Sequence, residues 1–390
     1  MASPLLVSER SGTVAAYTRA EGQWARRLVA SGGRWPAANP QGTLVALGVI
    51  ETSARSVSSR VDLVDLVTGA PAGEAYQSPP GVTGVIAPRI PSYVLWSPLG
   101  DFLGIVAQGD GGLTLSVSSA DGLFSADRVI TGAPIFFAWG SDNRTVCAHT
   151  GEEVALLDVR REREPIVLAR PGGGFRTPAF SLDGRYVAFA RPEAPGAEVV
   201  TRDLTTGEET PAGRFDGGVA LAYPGGGPLL SVAVNREPDA GMFHELWLVA
   251  PGAGHRAVHV ARGPFAACFW SPAGDRVALL VPLQSGDGRY AVQVRDQRGN
   301  FVAATEGFVP SQDYRTVVGF FDQYALSHHL WSPGGEEFTV AGRLAGDGLA
   351  ASFADQPLDY VMSWRVGRSS PFEIVAPGDT GFYAAGPQDR

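Results

Sequence analysis

The sequence predicts an all-β chain folded as a single closed β-propeller of about eight four-stranded antiparallel blades over residues 1–390, with seven as the alternative count. Three observations predict it. A segment of the form aromatic-Ser-Pro-x-Gly recurs along the chain, followed each time by alternating apolar residues. Its copies begin at positions 38, 96, 139, 180, 223, 270 and 331, a spacing in the range of propeller blades. The composition, 50 Gly and 29 Pro with 18% charged residues, suits many short strands and turns and leaves no room for long helices. A chain of 390 residues exceeds the size of one ordinary hydrophobic core, and repetition of a small unit resolves that.

The clearest repeats are WSPLGDFLGIVA from Trp96 and WSPAGDRVALLV from Trp270. WSPGGEEFTVAG from Trp331 and FSLDGRYVAFA from Phe180 follow, and weaker copies start at Ala38, Trp139 and Tyr223. The motif reads as a tight hairpin between strands a and b of a blade. Pro98 presets φ at one turn position, and Gly100 supplies the positive φ that closes the turn. Gly42, Gly184, Gly227, Gly274 and Gly335 occupy the same place, and Asn143 replaces Gly in the third unit, as the next residue most tolerant of that conformation. The run after each turn, such as Tyr186-Val187-Ala188-Phe189-Ala190, has the period of two expected of strand b. Segments such as EVALLDVRRE (153–162) and PIVLARPG (165–172) supply strands c and d. At the ends, residues 377–390 read as a strand a around Tyr383 with nothing after it, and the first 34 residues read as b, c and d without an a. Pairing the two completes one composite blade and removes exposed sheet edges.

The WSPxG segments followed by apolar alternation resemble the repeats of the TolB-like propellers, a bacterial group related to WD-repeat proteins, over essentially the whole chain. The resemblance implies the fold and says little about function. Oligogalacturonate lyases are TolB-like propellers that bind manganese through a Gln-plus-His ligand set, which gives the likeness one enzymatic branch.

Charge and composition exclude several classes. A net charge of −9, a pI near 5.2 and the lack of any basic stripe argue against nucleic acid. All 31 cationic residues are Arg, so lysine-nucleophile and Schiff-base chemistry are excluded. The two cysteines, Cys147 and Cys268, fall three blades apart, which disfavours a mutual disulfide and fits a reducing compartment. No apolar run is long enough for membrane insertion, and the first residues lack a signal-peptide pattern. A cytoplasmic location is expected, or an extracytoplasmic one if a signal peptide has been removed. There is no GxSxG elbow, HExxH, P-loop or EF-hand series.

Insertions at 48–60, 71–91, 235–244, 303–326 and 343–358 fall between b and c or between d and the next a, on one face of the propeller. The most unusual is DYRTVVGFFDQYALSHHLWSP (313–333), which leads into an inner strand and carries adjacent histidines just before the aromatic. On a strand, His328 and His329 would point to opposite faces. Three readings stand: His328, His329 and Asp322 tie the long loop to the blade; Tyr314, Arg315, Asp322, Gln323, Tyr324 and His328 form a binding rim; or Gln323, His328 and His329 hold a metal, with a further ligand from His149, His244, His255 or His259. The expected function is a non-catalytic scaffold that binds a protein or peptide partner through its loop-rich face, as a monomer without a cofactor. The alternative is a metal-dependent enzyme at the channel mouth, similar to the lyases.

Overall fold

The computed structural model describes residues 3–52, 56–78, 81–82, 91–109, 111–237, 241–252, 257–283, 288–344, 358–367 and 371–384. Residues 79–80 and 83–90 of the 71–91 insertion, 345–357 of the 343–358 insertion, 385–390 of the C-terminal segment and His255 lie outside the described residues.

The repeated motif builds the same hairpin in almost every blade. In blade 2, Ser97 N–H donates to the Phe102 carbonyl and Gly100 N–H to the Ser97 carbonyl, both at 2.8 Å. The Ser97 hydroxyl accepts from Phe102 N–H at 3.0 Å, which gives the serine of the motif its purpose. Ser181, Ser271 and Ser332 repeat this hydroxyl contact, and the Asn39 side chain substitutes for it in blade 1. Gly42, Gly100, Gly184, Gly274 and Gly335 have φ between 66° and 71°, and Asn143 has 59°. Gly227 departs from expectation. In that blade the positive φ, 58°, belongs to Gly225, whose backbone lies so close to the next turn that a Cβ there would meet the Ala273 carbonyl oxygen at 2.4 Å. Close packing of two neighbouring turns has moved the glycine requirement by two residues.

Strands Arg34–Ala38, Leu44–Thr52, Ser56–Asp65 and Pro71–Gln77 make blade 1, and Pro91–Trp96, Phe102–Gly109, Gly112–Ser119 and Ser125–Gly132 make blade 2. Three further meanders start at Phe136, Ala179 and Gly218, and blade 6 starts at Ala267. Each is antiparallel in order a-b-c-d. The chain is thus an all-β propeller built of repeated four-stranded sheets.

Both faces of the middle strands are covered because blade packs on blade. Ala46, Val61 and Leu63 of blade 1 share a core with Val94, Leu103 and Ile105 of blade 2, and residues of blades 3, 4 and 5 share another. The motif tryptophans add a directional bond across these contacts. Trp96 Nε1 donates to the Ala37 carbonyl at 2.9 Å, Trp139 to Leu95 at 3.1 Å, and Trp331 to Phe269 at 2.8 Å. In each case the acceptor is the residue just before the aromatic position of the preceding blade. Trp270 donates instead to the Ser231 hydroxyl at 2.9 Å. Cys147 and Cys268 are free and buried in separate blades.

Blade 7 is irregular. Phe308–Pro310 pairs with Leu344, Arg343 and Gly342 of strand Glu337–Leu344, while Trp331 bridges Phe338 lower on the same strand. The 303–326 insertion therefore does more than join strand d to the next a. It splits the inner strand of blade 7 in two, and helices α1 (Gln312–Gly319) and α2 (Phe321–Tyr324) occupy the gap. His328 and His329 lie in that interruption, so the expected strand alternation does not hold for them.

The outer strand of blade 7 continues without a break into a neighbouring sheet. In strand Glu373–Tyr383, Glu373 to Pro377 pair with Tyr360–Arg365, and Gly378 to Tyr383 pair with Leu5–Glu9, where Leu5 lies opposite Tyr383 and Leu6 opposite Phe382. Val14–Ala20 and Gln23–Ala30 complete that sheet. A polar knot clamps the junction. The Glu337 carboxylate accepts from Arg365 at 2.8 Å and from Tyr383 at 3.1 Å, with Arg19 3.5 Å away. Burial alone would raise its pKa, but Arg365, Arg19 and Tyr383 outweigh that and hold it below the ordinary carboxylate range.

Substituting Trp331→Phe keeps the ring and deletes the indole donor to the Phe269 carbonyl, which keeps its place in the ladder opposite Ala278. A loss of about 1–2 kcal/mol is expected in urea unfolding. Trp247→Phe, whose indole bonds its own strand's Glu245, serves as the control and should cost less.

Candidate functional site

The α1–α2 segment sits where the inner strands converge. Ser311 caps α1, its hydroxyl accepting from Tyr314 N–H at 3.1 Å and donating to the Asp379 carbonyl at 2.6 Å. That satisfies an orphan helix donor and fixes the entry of the chain into the channel. The Phe320–Tyr324 stretch then touches the axial side of one blade after another. Tyr324 packs on Trp35 of blade 1 with ring centroids 5.4 Å apart and edge-on to Tyr93 of blade 2 at 5.3 Å. Phe320 meets Phe136 of blade 3, and Phe321 meets Phe243 of blade 5 and Phe269 of blade 6. His328 lies edge-on to Phe382 at 4.5 Å, under the seam with the N-terminal strands. The insertion is a plug.

Its polar groups are bonded to the ring. The Asp322 side chain, 1% exposed, takes Thr177 N–H on Oδ2 at 3.2 Å and the Arg176 guanidinium on Oδ1 at 2.7 Å. Arg176 also donates to the Gly319 carbonyl at 2.5 Å and lies over the Phe320 ring at 5.5 Å. Tyr93 donates its hydroxyl to the Gln323 carbonyl at 2.7 Å. Ser327 Oγ and His328 Nδ1 are 2.6 Å apart.

Of the six residues expected to form a binding rim, Tyr314, Asp322, Gln323, Tyr324 and His328 are buried, and Arg315 is exposed. The structure brings Asp322, Gln323, Tyr324 and His328 together as the underside of the plug and leaves Arg315 outside, its Nε donating to the Pro310 carbonyl. His329 is half-buried, and its carbonyl accepts from Tyr383 N–H at 2.8 Å. Among the described residues, no three of His, Cys, Asp and Glu gather as a metal site. Sequence reading missed Trp35, Tyr93, Arg176 and Phe320. Trp35 carried a signal, a tryptophan outside the repeated motif and directly before a proline. Its φ is 57°, a left-handed conformation that costs a non-glycine residue about 1 kcal/mol or more and is held here by contact with Tyr324 and His328.

Burial governs the titration of the site. It drives the His328 imidazole down to about 3, with His329 adding to the effect and the Trp35 backbone opposing it. His149, stacked on Phe175 at 4.5 Å with Nδ1 2.9 Å from the Arg176 carbonyl, is also lowered by burial. Tyr324 is pushed up to about 12 by burial, then by Asp313. At neutral pH the plug therefore presents neutral imidazole and phenol to the ring.

These features define a β-propeller whose channel mouth is filled by its own helices. No protein-family model matches the chain, and no curated protein matches it by sequence. Solved structures do match. A eukaryotic initiation factor is 15% identical, covers 98% of this chain and 99% of its own, and superposes with a TM-score of 0.58. An oligogalacturonate lyase from Vibrio parahaemolyticus is 12% identical over 87% of each chain, with a TM-score of 0.51. TolB from Acinetobacter baumannii is 18% identical over 88% of this chain and 82% of its own, at a TM-score of 0.39. At such identities the first two likenesses are of fold alone.

Two outcomes are expected. Asp322→Ala strips the partner from Thr177 N–H and Arg176, and should lower stability by about 2 kcal/mol in denaturant titration, since Arg176 can still reach water. For His328, the unfolded chain binds a proton below the ordinary value of 6.5 while the folded chain does not until about 3. Stability is thus complete above pH 6.5 and falls as pH drops through that window. His328→Gln should show a shallower decline of the urea midpoint between pH 6.5 and about 4 than the wild type does.

Proposed function

We propose that this chain is a non-catalytic propeller scaffold that binds a protein or peptide partner through its loop-rich face. It acts as a cytoplasmic monomer without a cofactor, one domain whose ring is closed by residues 377–390 against 1–34. One observation carries the reading: the channel mouth, where a propeller could admit a small substrate, is packed with side chains of the same chain, so the surface offered there is the outside of the plug. That surface exposes Phe320 at 45% and Leu326 at 41%, with Arg315 and Thr316 beside them and the Arg176 guanidinium across the Phe320 ring. Exposed aromatic and Arg side chains on a rigid base are what protein interfaces use as anchors. The net charge of −9 supports a partner other than nucleic acid.

The test is a photo-crosslinking residue at position 316 in the full chain expressed in its native cell. A discrete adduct is expected, weakened about tenfold by Phe320→Asp or Arg315→Glu while the urea midpoint stays in place. An adduct indifferent to both variants, or none, overturns the proposal. The alternative of a metal-dependent enzyme with Gln323, His328 and His329 as ligands would be favoured by elemental analysis showing one manganese or zinc per chain that is lost in His328→Ala.

A further inference from the structure

A second surface lies on the outer part of the ring, away from the plug. The edge strand of blade 1, Pro71–Gln77, faces the third and fourth strands of blade 2 across a groove of about 300 Å³. On its floor the two-residue period of strand Gly112–Ser119 places Thr114, Ser116 and Ser118 side by side. Ser118 donates to the Ala75 carbonyl at 2.6 Å and Thr114 to the Ala107 carbonyl at 3.4 Å. Ser116, only 8% exposed, has a hydroxyl with no partner among the described residues and lines the groove.

Opposite Ser116 the outer strand bulges. Leu115 pairs with Ile130 and Val117 with Ala126, and Arg128 inside the bulge has φ of 55°. The bulge is clamped from blade 3, where Arg161 donates to the Asp127 carbonyl at 2.9 Å and the Arg128 carbonyl at 2.6 Å. A strained, non-glycine conformation held by an external clamp is a device for aiming side chains. Those aimed here are Asp127 and Arg128, with Glu74 and Gln77 on the far wall. Among the described residues none of these four side chains makes an ion pair or hydrogen bond, whereas Arg60 and Arg144 are each paired with carboxylates.

We propose that this groove binds a neutral saccharide. Vicinal hydroxyls both donate and accept, and the groove offers carboxylates that only accept, a guanidinium that only donates, and an amide and a serine hydroxyl that do both. The Phe124 ring at its edge suits the apolar C–H face of a pyranose. Two carboxylates against one guanidinium disfavour a phosphate or other anion. The site is independent of the plug surface proposed above.

Saturation-transfer NMR of the full chain with glucose, galactose, mannose, N-acetylglucosamine, maltose and cellobiose tests it. Transfer to at least one sugar is expected. The double substitution Glu74→Gln/Asp127→Asn, at two exposed positions, should weaken binding about tenfold, and Ser116→Val should do the same with Tm held within about 2 °C. Phe320→Asp should bind the sugar as the wild type does, which separates this site from the plug. The proposal fails if no sugar shows transfer, if the groove variants bind as well as the wild type, or if only inorganic phosphate or calcium binds there.

Discussion

The indole N–H of a motif tryptophan, passed to the backbone carbonyl of the blade before it, is the bond on which the rest of the architecture depends. A propeller gains most of its stability from apolar faces pressed together, and such contact is non-directional. Without a directional element, neighbouring blades could slide or rotate with little penalty. Trp96, Trp139 and Trp331 each place a donor opposite a fixed carbonyl at a fixed height on the inner strand, so registry is set at the same level between blades 1 and 2, 2 and 3, and 6 and 7. A buried indole N–H left without an acceptor costs more than the bond itself contributes, which makes the wrong registry expensive. The blades beginning at Phe136 and Pro91 are aligned well enough for Asn143 of one turn to reach Asp101 of the other at 2.7 Å.

The fold was legible because its information is local. A serine that accepts from the N–H five residues on, a proline that presets φ and a glycine with positive φ lie within one pentapeptide, and period-two alternation follows at once. Where the reading slipped, a neighbour from another blade decided. Gly225 displaced Gly227 because the adjoining turn crowds it. The composite of N- and C-terminal strands could be read from what each end lacked, but the shared strand Glu373–Tyr383 could not, since nothing in it marks the residue at which its partner changes.

The channel mouth was half legible. The segment 313–333 stood out for its length and its adjacent histidines, and its residues do converge at the axis. Their direction was hidden. Whether Tyr324 and Asp322 look outward or down into the ring depends on Trp35, Tyr93, Arg176 and Thr177, which come from three blades and lie far away in sequence. A pattern within one segment cannot carry that information. The same separation explains why the groove between blades 1 and 2 left no motif, as its walls are contributed by two different repeats.

The strand Glu373–Tyr383 has a further consequence during synthesis. Leu5–Glu9 leaves the ribosome well before its partner, Gly378 to Tyr383, is made. Throughout elongation the first sheet holds an apolar edge with no mate, while later blades fold on purely local contacts. Pairing of such high sequence separation is slow and leaves the edge open to other chains. The stretch Gly378 to Tyr383 therefore acts as the catch of a clasp, and until it closes the edge of Leu5–Glu9 is open to strand exchange with a second copy of the chain.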